Sequence, residues 1–187
     1  MLLKEKCIVV SGASGSGKTT IINNFLKKYK TNAELVIYDI TREKRTDEKQ
    51  GVDYNFITKS KFEDNKINGR YAFYYDLLET SRGVLKTTLN ELKKNNKVPI
   101  IIADYDNLDK IKNIYDVVDI FITTKTKDIL IERLKKREKN NEILNHRINT
   151  LDSFLNTKQW YKYIIINDKI DVATDGFYKI FTKEFKS

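Results

Sequence analysis

A glycine-rich segment near the amino terminus has the residue types and spacing of a loop that binds phosphate. It starts at Gly12, and after four intervening residues Gly17, Lys18 and Thr19 follow in succession. Glycines let such a loop wrap a polyphosphate with backbone N–H groups, and a helix that begins at its end adds a favourable dipole. A chance glycine-rich turn is the alternative, but an apolar run precedes the segment and a helical pattern follows it. We therefore predict a nucleotide-phosphate site at Gly12, Ala13, Ser14, Gly15, Ser16, Gly17, Lys18, Thr19 and Thr20.

Two carboxylates follow another strongly apolar run. Asp104 and Asp106 come directly after Val98–Ala103, and open α/β sheets bind their ligands at the carboxyl ends of the strands. Asp104 is a candidate ligand of Mg²⁺ or of its waters, together with the hydroxyl of Thr19, while Lys18 contacts the outer phosphates. Asp106 is a candidate for facing a second substrate. An aspartate turn that merely ends the strand is the alternative interpretation.

The apolar pattern predicts the elements that position these groups. Continuous β-branched runs indicate strands covered on both faces, which is typical of a parallel sheet. They are Ile8–Val10, Val98–Ala103, Ile120–Ile122 and Ile164–Ile166. Helical patterns lie between or after them, at Thr19–Lys28, Val84–Asn95, Lys127–Glu138 and Val172–Phe185. Strands that alternate with helices of this length imply βαβ units, so the predicted fold is α/β with a central parallel sheet.

Two segments break this alternation. Residues 35–75 contain strand-like stretches around one short helix, which the capping-box spacing of Ser60–Glu63 would start. The stretches are Leu35–Ile40, Asn55–Thr58 and Tyr71–Tyr75. We interpret this segment as a small inserted subdomain. The second segment, Arg133–Arg147, is densely charged and predicts a mobile pair of surface helices.

The composition favours a single globular domain. The chain has 187 residues, of which 40% are apolar and 33% charged. Its longest apolar run, Val98–Ala103, is far shorter than the ~20 residues that cross a bilayer, and the amino terminus lacks a signal-peptide pattern. We therefore expect a cytosolic protein that does not enter membranes. The one cysteine, Cys7, cannot form an internal disulfide, and we expect it to be buried in a strand.

The charge balance indicates anionic ligands. Lys and Arg outnumber Asp and Glu to give a net charge of +9. Nucleic acid and small phosphorylated substrates both complement such a charge. The sequence contains no basic run with interleaved aromatic residues, so we do not expect nucleic-acid binding. The single histidine, His146, lies in the charged segment, and we expect it to be solvated.

A pair of arginines and a tyrosine form a third pattern. Arg42 and Arg45 are three residues apart, and Tyr54 follows in Gly51–Phe56. Guanidinium groups suit bidentate phosphate recognition, although two such arginines commonly belong to a solvated face. Together with the glycine-rich loop, this pattern resembles the guanylate kinase family, and the resemblance extends over nearly the whole chain. It implies that Arg42, Arg45 and Tyr54 hold the 5′-phosphate of an acceptor.

The same resemblance implies roles for residues in the second half of the chain. Asp104 and Asp106 match the Asp-x-Asp of the family. Three arginines resemble its lid and closing arginines, namely Arg133, Arg137 and Arg147. Asn167 lies in a segment that resembles the family's Val-Asn-Asp near the adenine of the donor. The charge-neutralising, catalytic set implied in this way is Lys18, Arg42, Asp104, Arg133, Arg137 and Arg147.

The resemblance also implies a reaction and an architecture. The reaction transfers the γ-phosphoryl of ATP, with Mg²⁺, to a nucleoside monophosphate, and GMP or dGMP is the leading acceptor. The implied fold is the three-layer fold of P-loop NTPases in a monomer or a homodimer. Its core would comprise residues 1–34, 84–125 and 157–187, its acceptor-binding insert residues 35–83, and its lid residues 126–156.

The sequence departs from the family where the family contacts the guanine ring. Phe73 stands where a glutamate accepts from the base, and Arg82 and Val84 replace a tyrosine and a hydroxyl residue. Of the base-reading residues only Asp106 is retained. A lost charged acceptor would cost roughly 1.5–3 kcal/mol of base selectivity. Polar residues nearby could compensate, namely Asp76, Glu79, Thr80 and Ser81.

Other acceptors and other functions stay open at this point. Phe73 and Tyr74 could stack an acceptor base without discriminating among bases. We count Phe73 and Arg82 among the acceptor-binding residues. Alternatively, the acceptor is a different phosphate ester, because ribose 1,5-bisphosphate phosphokinases also resemble this family and lack base-reading groups. A non-catalytic module that binds phosphorylated partners is a further alternative, but such modules generally have a degraded phosphate loop, whereas Lys18 and Thr19 are present here.

Overall fold

The computed structural model describes residues 4–46, 48–77, 79–138 and 140–185. Its strands are β1 (Lys6–Ser11), β2 (Ala33–Leu35), β3 (Asp39–Ile40), β4 (Asn55–Phe56), β5 (Tyr71–Leu77), β6 (Thr80–Leu85), β7 (Val98–Ile102), β8 (Asp116–Thr123) and β9 (Tyr163–Ile166). Its α-helices are α1 (Lys18–Lys28), α2 (Lys59–Ile67), α3 (Lys86–Lys94), α4 (Leu108–Lys112), α5 (Lys127–Arg137), α6 (Asn141–Asn149), α7 (Leu151–Asn156) and α8 (Ile170–Phe185). Short 3-10 turns lie at Tyr105–Asn107 and Thr157–Trp160.

A five-stranded parallel sheet occupies the centre of the described chain, in the order β2-β7-β1-β8-β9. Strand β1 lies in the middle, where Val9 pairs with Ile101 on one side and with Asp119 on the other. Five of the six residues of β1 are buried, because neighbouring side chains point into opposite layers. These pairings confirm the predicted α/β fold with a central parallel sheet.

Helices cover both faces of this sheet. On one face, α1 and α8 pack together, and the ring of Phe25 lies 4.9 Å from that of Phe177. This layer includes Ile8 and Val10 of β1. On the other face, Val9 packs in a cluster with residues of α3 and α4, namely Leu89, Leu92, Leu108 and Ile111. The alternation of β1 side chains between two clusters makes the molecule three layers thick.

A second, four-stranded sheet is built from residues between β2 and α3, in the order β4-β3-β6-β5. Strand β3 pairs in parallel with β4 and antiparallel with β6, and β6 pairs antiparallel with β5. The prediction missed β6 and extended the next helix back to Val84. In the structure Val84 is buried and pairs with Phe73, so α3 begins only at Lys86. The pairing with β5 therefore outweighs the local helical pattern.

Two further expectations about residues 35–75 are corrected. Helix α2 begins at Lys59, and its N-cap is Thr58, whose hydroxyl accepts from the backbone N–H of Lys61 at 3.1 Å. Ser60 thus lies inside the helix, and the predicted capping box does not form. Leu35 belongs to the central sheet, where it pairs with Ile100.

The charged segment after β8 forms helices α5 and α6, as predicted, followed by α7. Leu130 of α5 and Leu151 of α7 are buried together with Ala13 of the glycine-rich loop. This small cluster attaches the helices to the phosphate loop. Cys7 is fully buried in β1, as expected, and burial raises the pKa of its thiol well above the usual range. Among the described residues, no helix has the length and apolar character needed to cross a bilayer.

Candidate active site

The glycine-rich loop connects the carboxyl end of β1 to the amino terminus of α1. Gly17 forms the N-cap of α1 with a φ of 91°, in the left-handed region that favours glycine. A Cβ at Gly17 would collide with the side-chain amide of Asn167, and one at Gly12 with the carbonyl oxygen of Ile122. The glycine spacing is therefore required by close packing of the loop against the neighbouring segments.

Lys18 lies under this loop. Its Nζ donates to the carbonyl oxygen of Gly12 and, at 3.1 Å, to that of Ala13. Burial lowers the pKa of Lys18 to about 8, although the nearby carboxylate of Asp104 opposes this change. A buried ammonium with nearby arginines is poorly stabilised by its own protein, and an anionic ligand would stabilise it.

Side chains from distant segments also fasten the loop. Arg133 of α5 donates to the carbonyl oxygen of Gly15 at 3.0 Å, and Asn167, after β9, donates to that of Ser16 at 2.9 Å. Arg147 of α6 lies within 3.3 Å of the Ser14 hydroxyl. Three of the segments predicted to contact a nucleotide thus meet at this loop.

The loop forms one wall of a cleft of about 1140 Å³. The second sheet forms the opposite wall, and α5 and α6 close one side. Within the described residues, eight Lys and Arg side chains line the cleft, namely Lys18, Arg42, Arg45, Lys59, Arg82, Arg133, Arg137 and Arg147, and His146 lines it as well. This arrangement can bind a polyphosphate and a second phosphorylated molecule.

Arg42 and Arg45 stand on the wall opposite the phosphate loop. The guanidinium of Arg42 donates to both carboxylate oxygens of Glu48, at 2.7 and 2.5 Å, and lies over the ring of Tyr54 at 5.3 Å. Glu48 also accepts from the backbone N–H of Arg45 at 3.0 Å. This network orients the Arg42 guanidinium, and it fixes the backbone from which Arg45 extends.

Arg82 of β6 lies between this wall and the phosphate loop. Its guanidinium is largely buried, and its Nε has no hydrogen-bond partner among the described residues. Burial lowers the pKa of Arg82, but the adjacent hydroxyl of Tyr75 and the carboxyl of Asp104 help to raise it overall. Burial raises the pKa of Asp104, and Lys18 and Arg82 oppose that rise. The Arg82 guanidinium thus offers a hydrogen-bond donor, free of partners among the described residues, where the two walls of the cleft meet.

Most of the sequence-predicted site residues line this cleft. They are Gly12, Ala13, Ser14, Gly15, Gly17, Lys18, Thr19, Thr20, Arg42, Arg45, Tyr54, Arg82, Asp104, Arg133, Arg137, Arg147 and Asn167. Three of the predicted site residues do not line the cleft. The side chain of Ser16 is buried beneath the loop, and Asp106 is exposed in the 3-10 turn after β7, outside the cleft lining.

Phe73 is the third, and its placement corrects the expectation that it contacts the acceptor. It is only 4% exposed and packs in the core, where its ring lies 6.1 Å from that of Tyr38. Tyr75, two residues further along β5, lines the cleft instead. A register shift between Tyr71 and Phe73 alters the pairing along this strand. The cleft-facing residue could not be identified from spacing alone.

Some cleft residues are absent from the predicted site. Glu79, at the turn before β6, and Thr80, the first residue of β6, line the cleft, and the sequence offers them only as compensating polar groups. Glu138 directly follows α5, and its carboxylate lies near Arg45 and Arg147. Glu138 was missed because a carboxylate in a Lys-rich and Arg-rich run is typical of a solvated helix face.

The three-layer parallel fold, with its glycine-rich loop between the central strand and α1, defines the class of P-loop phosphate-binding proteins. The family model described as Guanylate kinase matches residues 4–184. The chain therefore belongs to the guanylate kinase family.

Individual relatives agree with this assignment. A guanylate kinase from Carboxydothermus hydrogenoformans is 32% identical over 183 residues, which cover 97% of this chain and 89% of that protein. One from Mycoplasmoides gallisepticum is 28% identical over 178 residues, with coverages of 94% and 91%. The crystal structure of guanylate kinase from Anaplasma phagocytophilum superposes with a TM-score of 0.76 at 22% identity, over 98% of this chain and 88% of that one. The latter likeness concerns the fold.

Proposed function

We propose that this protein is an enzyme that transfers the γ-phosphoryl group of ATP to GMP or dGMP, which yields ADP and the nucleoside diphosphate. The observation that carries the proposal is the position of the phosphate loop and the arginine pair on opposite walls of one cleft. Family membership supplies the acceptor, because the matching relatives are guanylate kinases.

The donor ATP would bind along the phosphate loop and α1. Backbone N–H groups of the loop and the Lys18 ammonium would contact its phosphates, and Asn167 would lie near its adenine. The donor set fits Mg²⁺, because Thr19 offers a hydroxyl and Asp104 a carboxylate oxygen, and Mg²⁺ usually takes only one or two protein ligands beside phosphates and water. When bound, Mg²⁺ neutralises charge on the phosphates.

The acceptor would bind on the opposite wall. Arg42, Arg45 and Tyr54 would hold its 5′-phosphate, and Arg147 of α6, which shares the Glu138 carboxylate with Arg45, would also reach it. Arg82, whose Nε has no hydrogen-bond partner among the described residues, would supply a further donor at the boundary between the two substrates. We leave Phe73 out of these contacts because it lies in the core. A role for Asp106 in base recognition stays a prediction.

We further propose a division of labour along the chain. Residues 1–35, 86–125 and 157–187 would act as the core, residues 36–85 as the acceptor-binding insert, and residues 126–156 as a lid. Two boundaries differ from the sequence prediction, because Leu35 pairs in the central sheet and Val84 and Leu85 pair in the second sheet. Arg133, Arg137 and Arg147 come from this lid and would neutralise charge on the migrating phosphoryl, while closure excludes water that would otherwise hydrolyse ATP. No general base is required, because phosphoryl transfer depends mainly on positioning and charge neutralisation.

A panel of monophosphates tests the acceptor. ADP release is measured with ATP and, separately, GMP, dGMP, AMP, CMP, UMP and ribose 1,5-bisphosphate. We expect GMP or dGMP to have the highest kcat/KM. The guanine assignment fails if GMP is no better than AMP, CMP and UMP.

A second candidate function, a kinase with a different phosphate-ester acceptor, is favoured by one observation. Phe73 and Val84, at the positions where the family contacts the base, are both buried and offer no polar group to the cleft. In that case the panel would give similar rates for several bases, or the highest rate for ribose 1,5-bisphosphate. If the protein phosphorylates none of the acceptors in the panel, a non-catalytic module that binds phosphorylated ligands is favoured instead.

We also infer that the protein is cytosolic, since ATP and nucleoside monophosphates are interconverted in the cytosol. We further infer that it is a monomer or a homodimer, and that it does not bind nucleic acid. The sequence supports the last point, because it contains no basic run with interleaved aromatic residues. Sedimentation of the purified protein, alone and with duplex DNA, checks both statements.

A further inference from the structure

Glu138 joins two arginines that belong to different segments of the cleft. Its Oε2 lies 3.2 Å from Nη1 of Arg147 in α6 and 3.9 Å from Nη2 of Arg45 on the opposite wall. The Glu138 side chain is only 12% exposed. Its carboxylate thus lies inside the cleft, between two guanidinium groups that belong to the proposed transfer machinery.

The charges around Glu138 explain why a carboxylate is favourable at this point. Burial lowers the pKa of Arg45, and the neighbouring charges of Arg137, Arg42 and Arg147 lower it further, while Glu48 opposes the change. Burial also lowers the pKa of Arg147, while Glu138 opposes that change. In the part of the chain that the structure describes, Glu138 is the carboxylate that forms an ion pair with either arginine. It offsets their mutual repulsion.

The carboxylate of Glu138 is held far less firmly than that of Glu48. Glu48 accepts two hydrogen bonds from the Arg42 guanidinium and one from a backbone N–H in its own segment. Glu138 lies too far from Arg45 for a hydrogen bond, and its other oxygen accepts only a long 3.4 Å contact from the backbone N–H of Asn140. The donors of Arg45 are therefore not engaged by Glu138.

A phosphate is the stronger ligand for such a pair of guanidinium groups. It carries up to two charges, against one on the carboxylate, and it has an additional oxygen with which to satisfy both planar forks. An acceptor phosphate bound by Arg45 and Arg147 has to displace the Glu138 carboxylate from between them. The two anions therefore compete for the same donors.

We infer that Glu138 occupies part of the acceptor-phosphate position, competes with the acceptor for Arg45 and Arg147, and thereby sets the acceptor affinity. This inference rests on the proposed function. Glu138 tunes acceptor affinity and is not a catalytic residue, because it would leave the phosphate position before transfer takes place. Its removal should tighten acceptor binding and leave the transfer step nearly unchanged.

The test compares Glu138→Gln with Glu132→Gln. Glu132 lies on the same helix, is 66% exposed and pairs with Lys136, so its substitution changes the net charge equally outside the cleft. We expect Glu138→Gln to lower the KM for GMP about 3- to 10-fold, with kcat within about twofold, and Glu132→Gln to change neither. An unchanged or higher KM in Glu138→Gln would overturn the inference.

A binding measurement separates this inference from the proposed function. Inorganic phosphate is titrated calorimetrically into each variant in the presence of magnesium and a non-hydrolysable ATP analogue that covers the phosphate loop. Glu138→Gln should bind phosphate about 3- to 10-fold more tightly than wild type. If wild type does not phosphorylate GMP, the proposed function fails, and the titration still decides the role of Glu138.

A second variant and a stability measurement separate an effect on binding from a folding defect. Glu138→Ala also removes the carboxylate and should tighten phosphate binding in the same direction. The thermal midpoint of each variant is measured alongside. Weaker phosphate binding in both variants, with midpoints near that of wild type, would show that Glu138 supports the anion site, and it would overturn the inference.

Discussion

Lys18 illustrates the conflict between stability and binding at the level of a single residue. Its ammonium is buried, its pKa is lowered to about 8 by that burial, and it faces several arginines. A charge in this position destabilises the folded chain in exchange for a strong contact with phosphate. Removing it should therefore abolish transfer and stabilise the fold.

We expect Lys18→Met to lower kcat/KM at least about 100- to 1000-fold and to raise the thermal midpoint by at least about 2 °C. The direction in which stability changes with pH follows from proton binding. Between about pH 8 and the ordinary pKa of 10.5, the unfolded chain holds a proton on Lys18 that the folded chain lacks, so the free energy of unfolding of wild type rises with pH. The stability gap between Lys18→Met and wild type should shrink from about pH 7 to about pH 10. Retained turnover would contradict the role of Lys18.

Arg45 allows a comparison with a neighbouring cation. Arg45→Ala should raise the KM for the acceptor by a factor equivalent to about 2–4 kcal/mol, because it removes a charged donor at the proposed phosphate position. Lys44→Ala removes the same charge from an exposed neighbour outside the cleft lining and should leave the KM unchanged. Steady-state kinetics with varied GMP measures both. Equal effects of the two variants would assign Arg45 to the surface.

Individual site residues were predictable where backbone geometry dictates the residue type. Gly12 and Gly17 could be assigned because close packing excludes a Cβ at those positions. Phe73 could not be placed, because the choice between it and Tyr75 depends on how β5 pairs with β6 and where the irregularity in that pairing falls. Glu138 contacts residues from separate segments, and such contacts leave no local pattern in the sequence.

At the scale of elements, β1, β7 and β8 were predicted because their residues are largely buried on both faces and form continuous apolar runs. The run at β9 was also predicted, but that strand lies at the sheet edge, where Ile164 and Ile166 are exposed and not covered as expected. Strand β6 lacked that pattern, since only Gly83 and Val84 among its residues are buried. Its existence depends on pairing with β5, the preceding strand of the same hairpin, and with β3, which is distant in the sequence. The second sheet was therefore predicted only in part.

Gly83 leaves room for the ring of Tyr71 in the β5–β6 hairpin because glycine has no side chain. A Cβ there would lie 2.7 Å from Cε1 of Tyr71, whose ring is buried and whose hydroxyl donates to Asp39 at 2.9 Å. Because this ring has little room to move, Gly83→Ala should lower the free energy of unfolding by about 1–3 kcal/mol. Denaturation in urea measures the change.

Gly176 provides the control for that experiment. It lies within α8, and an added Cβ would meet nothing within 4 Å. Gly176→Ala should stabilise the protein by about 0.5–1 kcal/mol, since alanine favours the helix. If both variants shifted the stability in the same direction, the steric account of Gly83 would be wrong.

The whole molecule brings the two proposed substrate sites together in one cleft. The phosphate loop follows β1 of the central sheet, and Arg42 and Arg45 lie in the loop between β3 and β4 of the second sheet. Arg82 belongs to β6, and the remaining arginines of the cleft belong to α5 and α6. The net charge of +9 predicted an anionic ligand but not its position. The structure concentrates cations from three parts of the chain along this cleft, which is the physical basis for binding two phosphorylated molecules.

Direct transfer of label is the most direct measurement of this account. Purified protein is incubated with magnesium, GMP and ATP that carries a radioactive γ-phosphate, and the products are separated by chromatography. We expect the label to appear in GDP at the rate at which ADP forms. Label that remains in ATP, or that is released as inorganic phosphate without labelled GDP, would contradict it.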